Sequence, residues 1–74
     1  MNTPKLYDSV ALLEDIPDEN LFRGNVGAVV EVYNCGEAFE VEFVDTNGKT
    51  YGLLTLSPNQ FMRLRRDSVE KIAA

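Results

Sequence analysis

The sequence predicts an all-β fold of five short, mostly antiparallel strands curled into a small barrel, and three observations predict it. Apolar and polar residues alternate over short runs such as "AFEVEFV", the period of a half-buried strand rather than of a helix. An Asn47-Gly48 pair, the strongest short hairpin signal, lies between that run and "YGLLTL". Clusters of Pro, Gly, Asn and Asp separate the runs at intervals that leave no room for long helices.

Each element has its own justification. Residues 5–13 read as a first strand, with Leu6, Val10 and Leu12 able to share one face. "EDIPDENLFRGN" is rich in acids, amides, Pro and Gly and reads as a loop. Its apolar Ile16, Leu21 and Phe22 predict that the loop folds back over the core as a lid. Arg23-Gly24-Asn25 is then a turn into the second strand, where Gly27 marks a bulge or a close approach of two backbones. Strict alternation beyond it sends Ala28, Val30 and Val32 inward and Val29, Glu31 and Tyr33 outward.

The third strand puts Phe39, Val41 and Phe43 on one face, with Glu40, Glu42 and Val44 on the other. A two-residue turn at Asn47-Gly48 sets Val44 opposite Tyr51, Phe43 opposite Gly52, Glu42 opposite Leu53 and Glu40 opposite Thr55. An aromatic ring at Phe43 can then shield Gly52 across the strands. "LSPNQF" predicts one 3₁₀ turn with Ser57 ahead of Pro58, and "FMRL" a short last strand. The expected core is Leu6, Val10, Leu12, Val26, Ala28, Val30, Val32, Phe39, Val41, Phe43, Leu54, Leu56 and Leu64. "RRDSVEKIAA" has helical composition but is too short to be stable alone, so a frayed or partly helical tail is expected over 65–74, beyond a single domain at 1–64.

Seventy-four residues make one domain at most, and a chain of this size buries only about 60% of its unfolded surface. No apolar run approaches the ~18 residues of a membrane span, and "MNTPKLYDS" lacks the basic flank and apolar stretch of a secretion signal. A cytoplasmic location is therefore expected. With one cysteine, Cys35, the chain has no internal disulfide and no Cys-based zinc site. It has no His, so general-base chemistry at neutral pH would fall to a buried carboxylate, and the carboxylates occupy turns and outward strand positions. A nucleophilic Cys35 would want a cation beside it, and Glu37 does the opposite. The G-x-x-G spacing at Gly24 and Gly27 lacks the helix and Lys of a phosphate loop. The expectation is a protein with no catalytic centre, no cofactor and no metal.

Charge is distributed unevenly. The net formal charge is −5, but the stretch from Asp8 to Asp45 holds ten acids and a single base, Arg23. Such a body repels phosphate backbones. The basic "FMRLRR" is the one segment suited to RNA, but beside so acidic a body it reads rather as a solvated edge strand protected by arginines. The outward face of the central strands collects Val29, Glu31, Tyr33, Glu40, Glu42, Val44, Tyr51 and Leu53, with Glu31 obliged to oppose Glu40 or Glu42. Opposed like charges destabilise a strand pair. Aromatic and aliphatic anchors beside a carboxylate row suit a protein partner with a basic surface. The other reading is a solubilising outer face whose acids discourage strand pairing, and the opposed glutamates tip the balance toward a partner.

Five short strands, a long loop after the first, a central Asn-Gly hairpin and one turn before the last describe an SH3-like barrel. The segments "LYDSVALLEDIP", "LFRGNVGAVVEVY", "AFEVEFVDTNGKT" and "LLTLSPNQF", in this order, resemble the bacterial domain-of-unknown-function family 4926 over roughly residues 6–61. That resemblance implies a small stand-alone protein and, for some members, a role as antitoxin or immunity partner of a neighbouring nuclease-like toxin. The G-x-V-x-x-V strand is also similar to the KOW modules of ribosome-associated proteins and to a small barrel protein on the ferredoxin side of photosystem I, a likeness of fold only. The expected function is that of a non-enzymatic protein-binding module. The alternatives are a KOW-like RNA-binding module, a small accessory subunit of an electron-transport complex, and a homodimer formed through the same face.

Overall fold

The structure is a computed structural model that describes residues 4–64; the tail expected over 65–74 lies outside the described residues. Five strands follow in chain order: β1 (Ser9–Leu12), β2 (Val26–Tyr33), β3 (Ala38–Val44), β4 (Thr50–Leu56) and β5 (Phe61–Arg63). They form one sheet in the order β4-β3-β2-β1-β5, every neighbouring pair antiparallel. This is the strand order of an SH3-like barrel. The sheet curls until Phe39 of β3 and Phe61 of β5 meet edge to face, ring centres 5.4 Å apart, although β2 and β1 lie between their strands. Its two outer strands, β4 and β5, are not paired with each other, so the barrel has an open seam. A 3₁₀ turn at Pro58–Gln60 joins them, and the Gln60 side chain accepts the Ser57 N–H as expected of a capped turn.

The core is Val10, Leu12, Leu21, Val29, Phe39, Val41, Phe43, Leu56 and Phe61, with Ile16, Val32 and Leu54 packed against it. Phe39, Val41 and Phe43 are fully buried, as the alternation of β3 requires. Leu21 shows that the long loop is a lid. It bridges back to Ile16 and is buried, its methyl groups occupying the space above Gly52, while Phe22 stays exposed. Gly52 therefore faces both the Phe43 ring and the lid.

Several inward assignments fail, each for a local reason. The chain at 5–8 is a turn, not strand: Asp8 donates its N–H to the Lys5 carbonyl and takes the Lys5 N–H on its carboxylate, and Tyr7 has φ +70°. Leu6 is exposed as a result. In β2 the pairing runs Val29 with Val41 and then Glu31 with Glu40, so two steps on β2 match one on β3. Val30 is the extra residue of a β-bulge, and it reverses the parity upstream. Val29 becomes core while Ala28 and Val30 are half-buried and Val26 is exposed. Gly27 is not the bulge but the close approach. A Cβ there would lie 2.7 Å from the Glu42 carbonyl oxygen. Leu64, expected in the core, is half-buried and donates its N–H to the Ser9 carbonyl.

The β3–β4 hairpin reaches the expected register by another route. Gly48 N–H bonds the Asp45 carbonyl and Asp45 N–H the Lys49 carbonyl, with Gly48 at φ +79°. The loop is thus three residues long, closed by an Asp45 carboxylate that accepts the N–H groups of Asn47 and Lys49. It puts Val44 opposite Thr50 rather than Tyr51. A second bulge then absorbs Tyr51, and from Phe43–Gly52 to Phe39–Leu56 every pair is the one expected.

Candidate functional site

The outward face of β2, β3 and β4 carries the acidic row. Glu31 of β2 lies directly opposite Glu40 of β3, which in turn lies opposite Thr55 of β4. Two pairs along, Ala28, Glu42 and Leu53 form a parallel row. The two β3 glutamates are held in place by β4 hydroxyls. Thr55 donates to Glu40 Oε1 at 2.5 Å, and Thr50 donates to Glu42 Oε2. Tyr33 adds a long hydrogen bond of 3.5 Å to the same Glu40 oxygen. Partial removal from water, then the Glu40 and Glu31 charges, then that bond push the Tyr33 phenol above its ordinary value. It stays a neutral donor at physiological pH.

Among the described residues no cation pairs with this row. The single ion pair they form is Arg63 to Asp8, 2.9 Å, and it lies at the β1–β5 end of the sheet. There burial pushes the Asp8 carboxyl up, but the Lys5 N–H and the Arg63 guanidinium outweigh it and hold the group below its usual value. Glu31 and Glu40 thus face each other with no described cation between them. Glu31→Lys is expected to raise stability by about 0.5 kcal/mol at low salt, a gain that shrinks as salt screens the pair. Urea melts at two ionic strengths measure it.

Six of the eight residues expected on this face are there: Glu31, Tyr33, Glu40, Glu42, Val44 and Leu53, with Leu53 the most exposed of its aliphatics at 57%. Tyr51, the residue absorbed by the second bulge, is exposed with its ring centre 6.3 Å from that of the core Phe43. Val29 is not on this face. The Val30 bulge turns it into the core at 0% exposure. In exchange the bulge brings out Val26, 49% exposed and on the side of the sheet that carries Val44. In register with Ala11 of β1 are both Val26 and Met62 of β5, so the apolar part of the face continues toward the sheet's far end. The sequence signal for this was the run Ala28-Val29-Val30, apolar at both parities, which a bulge can resolve either way.

Cys35 is exposed in the four-residue turn between β2 and β3, both it and Asn34 at positive φ. Among the described residues no three His, Cys, Asp or Glu side chains converge as a metal site would need, and no helix is long and apolar enough to cross a membrane.

The family described as Domain of unknown function (DUF4926) matches residues 6–63, most of the chain and all five strands. The chain belongs to this family. The DUF4926 match begins in the turn ahead of β1 and ends with Arg63, the last residue of β5, so lid, acidic row and both bulges all fall within it. Comparison with curated proteins and with solved structures gave no match.

Proposed function

We propose that this DUF4926 protein is a non-enzymatic binding module that docks a basic protein surface on the outward face of β2–β4. The observation that carries this reading is the row of Glu31, Glu40 and Glu42, which no cation among the described residues balances and in which two members are fixed by threonine hydroxyls. Carboxylates already held in place lose little side-chain freedom when a cation arrives, which favours binding over mere solubility. Tyr33, Val44 and Leu53 border the row as exposed apolar anchors, the mixture that supplies both affinity and charge selection.

The finer form of the proposal takes the partner to be a nuclease-like toxin, whose cationic RNA-binding cleft an acidic barrel would occupy in place of substrate. The family resemblance supports it, and so does the charge of the face. The RNA-binding alternative is weakened by Arg63, whose guanidinium is engaged by Asp8 rather than presented to a phosphate. Co-expression with the product of the neighbouring gene, followed by co-purification, tests the proposal. The double reversal Glu31→Lys with Glu42→Lys should abolish the complex and leave the thermal unfolding of the free protein unimpaired. Full retention of the complex by that variant would overturn the assignment to this face.

A further inference from the structure

The two edges of the sheet are treated differently. β5 is three residues long and carries Arg63, the usual protection of an exposed edge. β4 has seven residues, Thr50-Tyr51-Gly52-Leu53-Leu54-Thr55-Leu56, without one charge or proline. Among the described residues it has a neighbour on one side only. Its single protective device is the bulge at Tyr51, which lies at the turn end and leaves Gly52 to Leu56 in regular pairing with β3. Leu54 points toward the core yet is only half-buried, so the described residues leave the core open along this edge. A free strand edge with open backbone donors and acceptors is a template for another strand.

From these observations we infer that β4 accepts an extended segment of the basic partner as a sixth strand, with Lys or Arg at alternate positions. The inference rests on the acidic-face reading and specifies how the partner is held. Charge decides the occupant. Strands lie about 4.8 Å apart, so a residue added beside Leu53 or Thr55 stands about 10 Å from Glu42 or Glu40. A Lys or Arg stem spans most of that distance along the apolar Leu53 surface and brings its charge to the carboxylate. Side chains of the opposite parity turn inward beside Leu54 and cover it, which calls for Val or Ile there. A second copy of this chain would bring a neutral β4 and a further net negative charge, and would leave the glutamates unmet.

Two synthetic peptides test the inference on the full-length protein: one alternating Lys and Val over seven residues, the other with the same composition in two blocks. Titration by calorimetry and amide hydrogen exchange of β4 are read together. The alternating peptide should bind at least tenfold tighter than the block peptide and slow exchange within Leu53 to Leu56 at least tenfold. Equal binding of both peptides with unchanged β4 exchange would overturn strand addition while leaving the acidic face as a docking surface. Absence of binding by either peptide would overturn both. Undiminished affinity of the alternating peptide for the Glu31→Lys, Glu42→Lys variant would overturn the basic character of the occupant. β4 protection that rises with protein concentration alone would assign the edge to a second copy and overturn the proposal.

Discussion

Replacing Phe43 by alanine is expected to destabilise the protein by about 3–5 kcal/mol, the usual cost of emptying a buried aromatic site. Phe43 is fully buried at the middle of the sheet, and both strands beside it present a glycine. A Cβ on Gly27 would come within 2.9 Å of the ring, and one on Gly52 within 3.5 Å. The ring therefore fills space that two missing side chains leave vacant. With it gone, neither flank can relax inward to refill the void, so the cavity contribution should be near its maximum. A domain of this length has a total stability of about 4–11 kcal/mol. Phe43→Ala should consequently lower the urea midpoint severely or unfold the protein at 25 °C. Phe43→Leu, which keeps most of the volume, should cost about 1.5 kcal/mol or less. Equal and small losses for the two variants would mean that the ring is not the centre of the core.

Gly27→Val is expected to be the second most damaging change, at about 3 kcal/mol or more. Here the argument is crowding. The first added atom would meet the Glu42 carbonyl oxygen at 2.7 Å, Val41 Cγ1 at 2.8 Å and Phe43 Cδ2 at 2.9 Å. One of these is backbone, so relief requires β2 and β3 to part at their centre, and overpacking that moves backbone exceeds the common range of about 1–3 kcal/mol. Gly48→Ala provides the contrast. Its Cβ would meet nothing within 4 Å, and its cost comes only from φ +79°, about 1–2 kcal/mol. Urea denaturation of the three proteins side by side checks the order. A Gly27→Val protein as stable as Gly48→Ala would show that β2 and β3 do not approach so closely.

The strands are legible in the sequence because each pairs a period-two pattern with a turn that has few alternatives. β3 illustrates this, since its three inward residues and its partners on β4 follow from alternation and the Asn47-Gly48 signal. The turn itself is three residues long where that signal predicts two. The resulting error of one step at Val44 disappears by Phe43 only because a bulge at Tyr51 cancels it. β2 is less legible. Three consecutive apolar residues, Ala28 to Val30, satisfy either face, and nothing local says that Val30 is the one to be skipped. That ambiguity misplaces Val26, Ala28, Val29 and Val30, and with Val29 one residue expected on the outward face. Leu21 and Phe61 escape the expected core because each lies at a loop or turn boundary, where burial depends on how distant segments close. The acidic row survives these errors. Glu31 lies beyond the bulge, where the parity is again the simple one, and it meets Glu40 as one of the two expected pairings.

The pairing of β1 with β5 has a consequence for the speed of folding. β2, β3 and β4 follow one another through short turns, and hairpins of that kind close within about 1–10 μs. β1 also needs β5, and Leu12 finds its partner in Phe61, nearly the whole domain away along the chain. The entropy of bringing those ends together is lost before any of their contacts form, which places the barrier at this closure. The meander of β2–β4 is thus the fast, local part of the molecule, and the docking of the first strand against the last completes it. The acidic face belongs to the part that assembles early, while the lid, tethered through Leu12 to Asn25 and Gly24, settles only when β1 docks against β5.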